Sequence, residues 1–387
     1  MRRIALFIFV MVFCLALSGA FAETPGSTDA VIKALVDKGL ITEADVAKAQ
    51  QELDKQAKPA ASVPVVSKQE IKLSGFVQER YTHSNQQDFN DSLETKRARL
   101  ILSGNPTDKL DFFIQTDLAG SRTVVSAIDF VTPGTTTTKV SKPVLLSAVV
   151  GYKLNASNKL SIGQFGVPFG LENTTAAWNL DFINIPTVVS ELVPGRDPNA
   201  IGYDQGIQLY GGTHNRSGKL TSLYTLALLN GSGLTTDDTN DRKDPDIHLV
   251  FNPLSKFAFG GSYYDGAVGP TKVDFIRTGY EAVYKTAPWT LKSEYIIGRD
   301  GTLHKKGWYV TLLRQLTKSG LQLAARYDRY DPNTDADDNA LKTLTAGFNW
   351  FLDEKGYSKW QLNYERRREE GAQIANDRLM AQFQAGF

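Results

Sequence analysis

From residue 71 to the C-terminus, apolar and polar residues alternate within segments about nine to twelve residues long. In one such segment Leu344, Phe348 and Trp350 fall on one side, while Thr345 and Asn349 fall on the other. Successive side chains of a β-strand point to opposite faces, so this period of two predicts strands with one apolar and one polar face. The chain beyond residue 70 is therefore predicted to be all-β.

The connections between these segments alternate in length. Short ones, such as residues 105–109 and 352–356, lie between longer polar ones, such as residues 119–142 and 331–340. Short turns at one end and long loops at the other are typical of transmembrane β-barrels, whose outer face meets lipid and whose lumen meets water. We predict an antiparallel outer-membrane barrel of about sixteen strands over residues 70–387, since an even number returns both chain ends to the same side.

The last predicted strand places Leu379, Ala381, Phe383 and Phe387 on one face. An amphipathic C-terminal strand that ends in phenylalanine resembles the signal that bacterial outer-membrane proteins carry for their assembly machinery. Phe387 is therefore the expected assembly signal. Outer-membrane lipid is the expected surrounding of the barrel.

One connection, residues 166–203, is much longer than the others. Loops of this length are usually functional or disordered, and this one is rich in apolar and turn-forming residues. We predict that it folds into the mouth of the barrel and narrows it. The residues expected at the constriction are Pro168, Phe169, Glu172, Arg196 and Asp197.

The N-terminus has the features of a secretory signal peptide over residues 1–22: Arg2 and Arg3, an apolar run at residues 4–17 and a small-residue cleavage site that ends at Ala22. The apolar run is shorter than the roughly 20 residues of a membrane anchor. Cleavage after Ala22 is therefore expected.

Two capped, amphipathic segments follow within residues 23–57. They predict either a periplasmic helical hairpin or coiled coil between subunits, or a flexible and partly helical arm, because such short helices need a partner for their apolar faces. Residues 58–69 are rich in Pro, Ala and Ser and are predicted to be a linker.

Composition excludes several classes of protein. Loss of Arg2 and Arg3 with the signal peptide changes 43 basic against 42 acidic residues to 41 against 42, a net charge near −1, which argues against nucleic-acid binding. The only cysteine, Cys14, lies in the signal peptide, so the mature chain has no disulfide, no cysteine-bound metal and no c-type haem motif. We expect no cofactor.

Motifs of known enzymes are absent from the sequence. The four histidines are scattered, and Gly-x-Ser-x-Gly, His-Glu-x-x-His and glycine-rich phosphate loops do not occur. Two Asp-rich segments, residues 236–246 and 331–339, lack the spacing of an EF-hand calcium loop. We expect them to be solvated loop tips, and we expect neither a metal site nor an enzyme such as an outer-membrane lipase.

Three stretches carry a resemblance to a known family: KRARL at residues 96–100, GQFGVPFGLE at residues 163–172 and PGRD at residues 194–197. With the barrel pattern around them, they resemble the phosphate-selective porin O and P family of Gram-negative outer membranes over roughly residues 70–387. The resemblance implies a sixteen-stranded, homotrimeric porin whose third outer loop folds inward. In selective members of that family, a ladder of inward arginines and a lysine cluster line the pore.

Strand alternation assigns charges of both signs to the lumen. The predicted pore-lining cations are Arg80, Arg97, Arg99, Arg277, Lys292, Arg326, Arg367 and Arg378, with Arg196 in the long loop. The same rule places Asp111, Asp117, Glu281, Glu294, Asp328 and Glu365 in the lumen. Unneutralised cations would contact permeating anions, whereas paired ones would form a salt-bridge lattice that stiffens the wall. Arg97, Arg99 and Arg196 are the best candidates for anion contact.

The favoured function is a channel for passive diffusion of small hydrophilic solutes, with phosphate or other anions as the candidate preferred solutes. The alternative is a barrel that serves as a sheath or scaffold for a redox or secretion partner. A lumen filled by residues 166–203 would leave no room for such a partner. The placement of this loop therefore discriminates between the two functions.

Overall fold

The structure is a computed structural model of the chain. It describes residue 42 and residues 71–87, 89–119, 121–128, 135–141, 143–195, 202–214, 220–238, 240–316 and 320–387. The predicted signal peptide, helical arm and linker lie outside the described residues apart from Thr42, and so do Arg196 and Asp197.

The described residues form a closed antiparallel barrel of sixteen strands, which confirms the predicted fold. The barrel strands are β1 (Lys72–Ser84), β2 (Ser92–Gly104), β3 (Leu110–Asp117), β6 (Val144–Lys153), β7 (Asn158–Gly166), β8 (Tyr203–His214), β9 (Leu220–Leu229), β10 (Asp244–Leu254), β11 (Phe257–Val268), β12 (Val273–Thr286), β13 (Trp289–Asp300), β14 (Leu303–Gln315), β15 (Leu321–Asp331), β16 (Leu341–Phe351), β17 (Lys359–Glu369) and β18 (Arg378–Gly386). Each barrel strand pairs with the next one, and β18 closes the barrel against β1.

The connection between β3 and β6 contains more than the polar loop expected from sequence. β4 (Ser121–Ile128) and β5 (Thr135–Ser141) pair there as a separate two-stranded hairpin. This hairpin lies at the end of the barrel that carries the longer loops.

Side chains alternate between the outer and the inner face of the wall. On β13, Leu291, Tyr295 and Ile297 are exposed outside, whereas Glu294 and Ile296 are buried inside. A bilayer offers no water to backbone N–H and C=O groups, so only a closed sheet lets strands cross it. The apolar outer face is therefore the surface that meets lipid.

The chain end completes the closure between β18 and β1. The N–H of Phe387 donates to the carbonyl of Gly75, and the N–H of Gly75 donates to the carbonyl of Phe387, both at 3.0 Å. The Phe387 side chain is exposed. Its role as an assembly signal stays a prediction.

The described helices are short and lie in the connection between β7 and β8. They are α1 (Leu171–Thr174), a 3-10 turn at Ala177–Asn179, and α2 (Thr187–Leu192). None of the helices in the described part of the chain has the length and apolar character needed to span a lipid bilayer.

Candidate pore constriction

After β7 the chain leaves the wall, and residues 167–195 fold across the lumen. The chain leaves the sheet at Pro168, because proline cannot donate to a β-ladder. It turns at Gly170, whose φ of 72° lies in the left-handed region that favours glycine. Gly195 and Gly202, with φ of 73° and 57°, return the chain to β8. We call the described residues of this connection, 167–195 and 202, the inward loop.

The inward loop builds an apolar core inside the barrel. Phe169, Val188, Val189 and Leu192 are fully buried. They pack with wall side chains of β9, β11 and β13–β15, which are Leu229, Tyr264, Ile296, Tyr309 and Tyr330. Full burial of one such apolar side chain contributes about 1.5–3 kcal/mol. The loop is therefore a packed part of the barrel, and it fills the side of the lumen that faces these strands.

Glu294 on β13 fixes the start of α1. Its carboxylate accepts hydrogen bonds from the backbone N–H groups of Leu171 at 2.7 Å and Glu172 at 3.0 Å, and from the hydroxyl of Tyr309 at 2.7 Å. The first N–H groups of a helix have no partner within the helix, so they need acceptors from elsewhere. Glu294, a buried residue of the wall, therefore caps the N-terminus of α1.

Polar side chains of the opposite wall bind the backbone of loop residues 177–184. Lys359 donates to the carbonyl of Leu180 at 2.8 Å, and Asn349 donates to the carbonyl of Asp181 at 3.0 Å. Similar bonds come from β18 and β1. Carbonyl groups removed from water need such donors, so the wall holds this part of the loop in one position.

A cavity lies between the inward loop and the wall formed by β2, β3 and β6. This cavity has a volume of about 300 Å³, and its lining includes Arg97, Arg99, Gln115, Glu172 and Trp178. Pro168 also lines it, whereas Phe169, which sequence places at the constriction, is buried in the apolar core. We call this cavity the opening.

Two arginines of β2 face the opening with different partners. Arg99 pairs with Asp117 at 2.9 Å, so its charge is neutralised. Arg97 donates to the uncharged amide of Gln78 at 2.7 Å. No carboxylate among the described residues forms an ion pair with Arg97. Its positive charge at the opening is therefore unbalanced.

Lys96 adds a cation that strand alternation does not identify. Gln78 lies opposite Arg97 and Glu79 lies opposite Thr95, which leaves Lys96 without an opposing residue. Such a bulge breaks the alternation of faces. Lys96 is half-buried, and its charge interacts with those of Arg80 and Arg97. The KRARL motif thus supplies three cations, and within the described chain only Arg99 has a carboxylate partner.

Most of the other predicted lumen cations are paired with carboxylates. The pairs are Arg80 with Glu94, Arg277 with Asp300, Lys292 with Asp181 and Arg326 with Asp328. Three of these arginines also donate to the inward loop at residues 184 and 192. Arg367 and Arg378 are half-buried on the inner face, where Arg378 lies opposite Glu365.

A second cavity, of about 380 Å³, lies between the inward loop and the short-turn end of the barrel. Its lining includes Lys285, Lys292, Lys355 and Lys359, with Asp181 as the carboxylate among them. We call it the lysine cavity. Lys285 and Lys359 have the sequence parity of lumen-facing residues, so strand alternation is sufficient to identify them. Lys355 lies in a turn, where alternation gives no direction.

Comparison with known proteins agrees with this architecture. A sequence model of phosphate-selective porin O and P matches residues 70–265 and 259–387. Similar solved structures include an anion-selective porin from Comamonas acidovorans, with a TM-score of 0.57, 12% identity, and coverage of 82% of this chain and 100% of that chain. Salmonella typhi OmpF in complex with daunomycin has a TM-score of 0.59 and 12% identity, and the match covers 82% of this chain and 97% of that chain. The outer membrane channel DcaP of Acinetobacter baumannii has a TM-score of 0.56 and 12% identity, and the match covers 82% of this chain and 97% of that chain.

At these identities the solved structures show a shared fold. A search of curated proteins found no match to this chain.

Proposed function

Because the chain belongs to the phosphate-selective porin O and P family of outer-membrane channels, we propose that small hydrophilic anions diffuse through its opening in preference to cations. Membership of this family makes the protein an outer-membrane channel. We further propose that Arg97 and Lys96 set its anion preference and that the protein has no enzymatic activity.

The unbalanced charge of Arg97 beside Lys96 carries this proposal. An anion that enters a narrow passage loses part of its hydration, and N–H donors can replace it. Narrow walls of low dielectric also focus the field of unpaired cations. The lysine cavity supports the proposal, because it places four lysines against one carboxylate on the other side of the inward loop.

The packing of the inward loop favours small solutes over the sheath alternative. The loop is anchored at Glu294 and at Lys359, and the opening beside it measures about 300 Å³. A protein partner threaded through the barrel would have to displace the apolar core around Phe169 and Leu192. We therefore propose a size-selective pore.

The reversal potential of the refolded mature protein in a planar bilayer, under a potassium chloride gradient, tests the anion preference. We expect the wild type to favour chloride and the double variant Lys96→Gln/Arg97→Gln to lose most of that preference. Arg314→Gln is the matched control, because Arg314 lies over Trp289 on the outer face, with 4.9 Å to the ring centroid. A wild type without ion preference, or a double variant identical to it, would contradict the proposal.

We further propose that the barrel forms a homotrimer and that the outer face of β1 and β2 meets a neighbouring copy. Glu79 lies midway along β1 and faces outward, where it accepts a hydrogen bond of 2.9 Å from the Thr95 hydroxyl. Charged side chains on the lipid face are destabilising near the bilayer midplane. Contact with a second subunit would remove Glu79 from lipid.

We place the predicted arm, residues 23–57, in the periplasm. β1 begins at the end of the barrel that carries the short turns, which in such barrels is the periplasmic end. We also propose that the outer-membrane assembly machinery recognises Phe387, because the strand that precedes it, β18, closes the barrel against β1.

A further inference from the structure

A row of outward-facing cations crosses three adjacent strands at the long-loop end of the barrel. Arg329 on β15 lies opposite Lys342 on β16, and Lys342 lies opposite Arg368 on β17. Arg366 lies two residues before Arg368 on β17, opposite Leu344. Directly opposed residues share a face, and Leu344 is exposed outside. We call these four residues the basic band.

Carboxylates neutralise only part of the basic band. Glu370 pairs with Lys342 at 2.9 Å and with Arg329 at 3.0 Å, and Asp377 pairs with Arg368 at 3.0 Å. Arg366 is exposed, and none of the carboxylates in the described chain pairs with it. Hydrogen bonds from Lys342 and Arg329 lower the pKa of Glu370 below its ordinary value. Four cations therefore face two carboxylates that stay ionised at neutral pH, which leaves a net charge of +2.

Aromatic side chains place the basic band at the membrane surface. Trp308 lies opposite Arg329, and its ring centroid is 5.5 Å from that of Tyr327 on the adjacent strand. Tyr364 is exposed two residues below Arg366. Trp and Tyr concentrate where hydrocarbon meets headgroups. The basic band therefore lies at the level of the outer-leaflet headgroups and outside the pore.

We propose that the basic band binds the phosphorylated sugar headgroup of an outer-leaflet glycolipid. Guanidinium groups bind phosphate through paired N–H donors, and long basic side chains reach from an apolar wall to headgroup level. Three strands at about 4.8 Å spacing spread the cations over about 10 Å, enough to contact more than one phosphate. This inference rests on the outer-membrane location, and it does not depend on the ion preference of the pore.

The opposite rim of the same wall gives the matched control. Arg314 also faces outward on β14, at the short-turn end, where it stacks on Trp289. It is a single cation on the phospholipid side of the membrane. Arg314→Gln removes one positive charge from the outer face without touching the basic band.

Binding of rough lipopolysaccharide, which carries phosphates on its sugar headgroup, to the refolded mature protein in detergent tests the inference by native mass spectrometry. We expect Arg366→Gln/Arg368→Gln to bind at least tenfold more weakly than the wild type, and Arg314→Gln to bind like the wild type. Dephosphorylated lipopolysaccharide and phosphatidylglycerol are expected to bind the wild type much more weakly.

Three results would overturn the inference: equal binding by the double variant, equal loss in Arg314→Gln, or equal binding of either comparison lipid. Compact migration of each variant in unheated detergent gels shows that the barrel is folded. The reversal potential, measured separately, distinguishes this inference from the proposed function, because a folded barrel that binds glycolipid without an anion preference contradicts only the proposed function.

Discussion

The ring of Phe169, in the inward loop, lies directly over Gly279 on β12. A Cβ atom at Gly279 would come within 3.0 Å of two carbons of that ring, which is fully buried. Glycine weakens the interior of a strand, and it often marks a close approach by another group. Because Gly279 has no side chain, Phe169 at the start of the inward loop can pack directly against the wall.

Gly279→Val is expected to displace Phe169 and loosen the inward loop. Overpacking of this kind typically costs about 1–3 kcal/mol, and here the loop can move more easily than the wall. Single-channel recordings should show larger or fluctuating conductance. Gly261→Val is the control, because Gly261 lies on the neighbouring strand, and the nearest atom to its Cβ is 3.4 Å away. A steady conductance of wild-type size in Gly279→Val would show that the contact between Phe169 and Gly279 does not hold the loop.

Glu294→Gln is expected to release the start of α1. The amide keeps the size of the carboxylate, but its NH₂ group replaces one of the two oxygens that accept from Leu171 and Glu172, so one of these N–H groups loses its acceptor. A buried donor left without its acceptor costs about 1–3 kcal/mol. We expect noisier channels and faster proteolysis within the inward loop of the folded barrel.

Glu281→Gln controls for the loss of a buried carboxylate near Glu294. Glu281 lies directly opposite Glu294 on β12 and contacts His248 at 3.2 Å. Equal noise and equal proteolysis in both variants would contradict a specific role for Glu294.

The barrel could be predicted because each strand carries its own alternation, independent of distant residues. Arg97 and Arg99 are equivalent by that rule, yet Asp117 on the next strand neutralises only Arg99. Lys96 departs from the alternation because of a bulge, which depends on pairing with β1. Alternation gives the face of a residue but not its partner.

The inward loop was located by its length, but its contacts depend on residues far away in the chain. Lys359 binds the carbonyl of Leu180 across 179 positions. The sequence places both Pro168 and Phe169 at the constriction, and the structure packs Phe169 into the core between the loop and the wall. No local pattern distinguishes an apolar loop residue that lines a pore from one that packs against the wall.

The double variant Lys285→Gln/Lys355→Gln is expected to weaken anion entry from the short-turn end. Both lysines line the lysine cavity, and no described side-chain bond ties either of them to the inward loop. Loss of two positive charges should lower the chloride-to-potassium permeability ratio severalfold without changing channel noise. Phosphate added on that side should also block the current less. Lys272→Gln, in an outer turn, is the control, and equal effects in both variants would rule out a role for this cavity.

Glu79→Leu distinguishes a subunit interface from a lipid-facing surface by the sign of its effect. If Glu79 faces lipid, leucine removes a charge from hydrocarbon, and the barrel should become more stable with its oligomeric state unchanged. If β1 and β2 meet a neighbouring copy, leucine removes a carboxylate that would face that copy, and the trimer should dissociate more readily. We expect the second result, measured as loss of trimer in native mass spectrometry and in unheated detergent gels. Thr278→Leu, on the outer face of β12, is the control and should leave the trimer intact, since Thr278 lies between Tyr263 and Ile297, both of which are exposed.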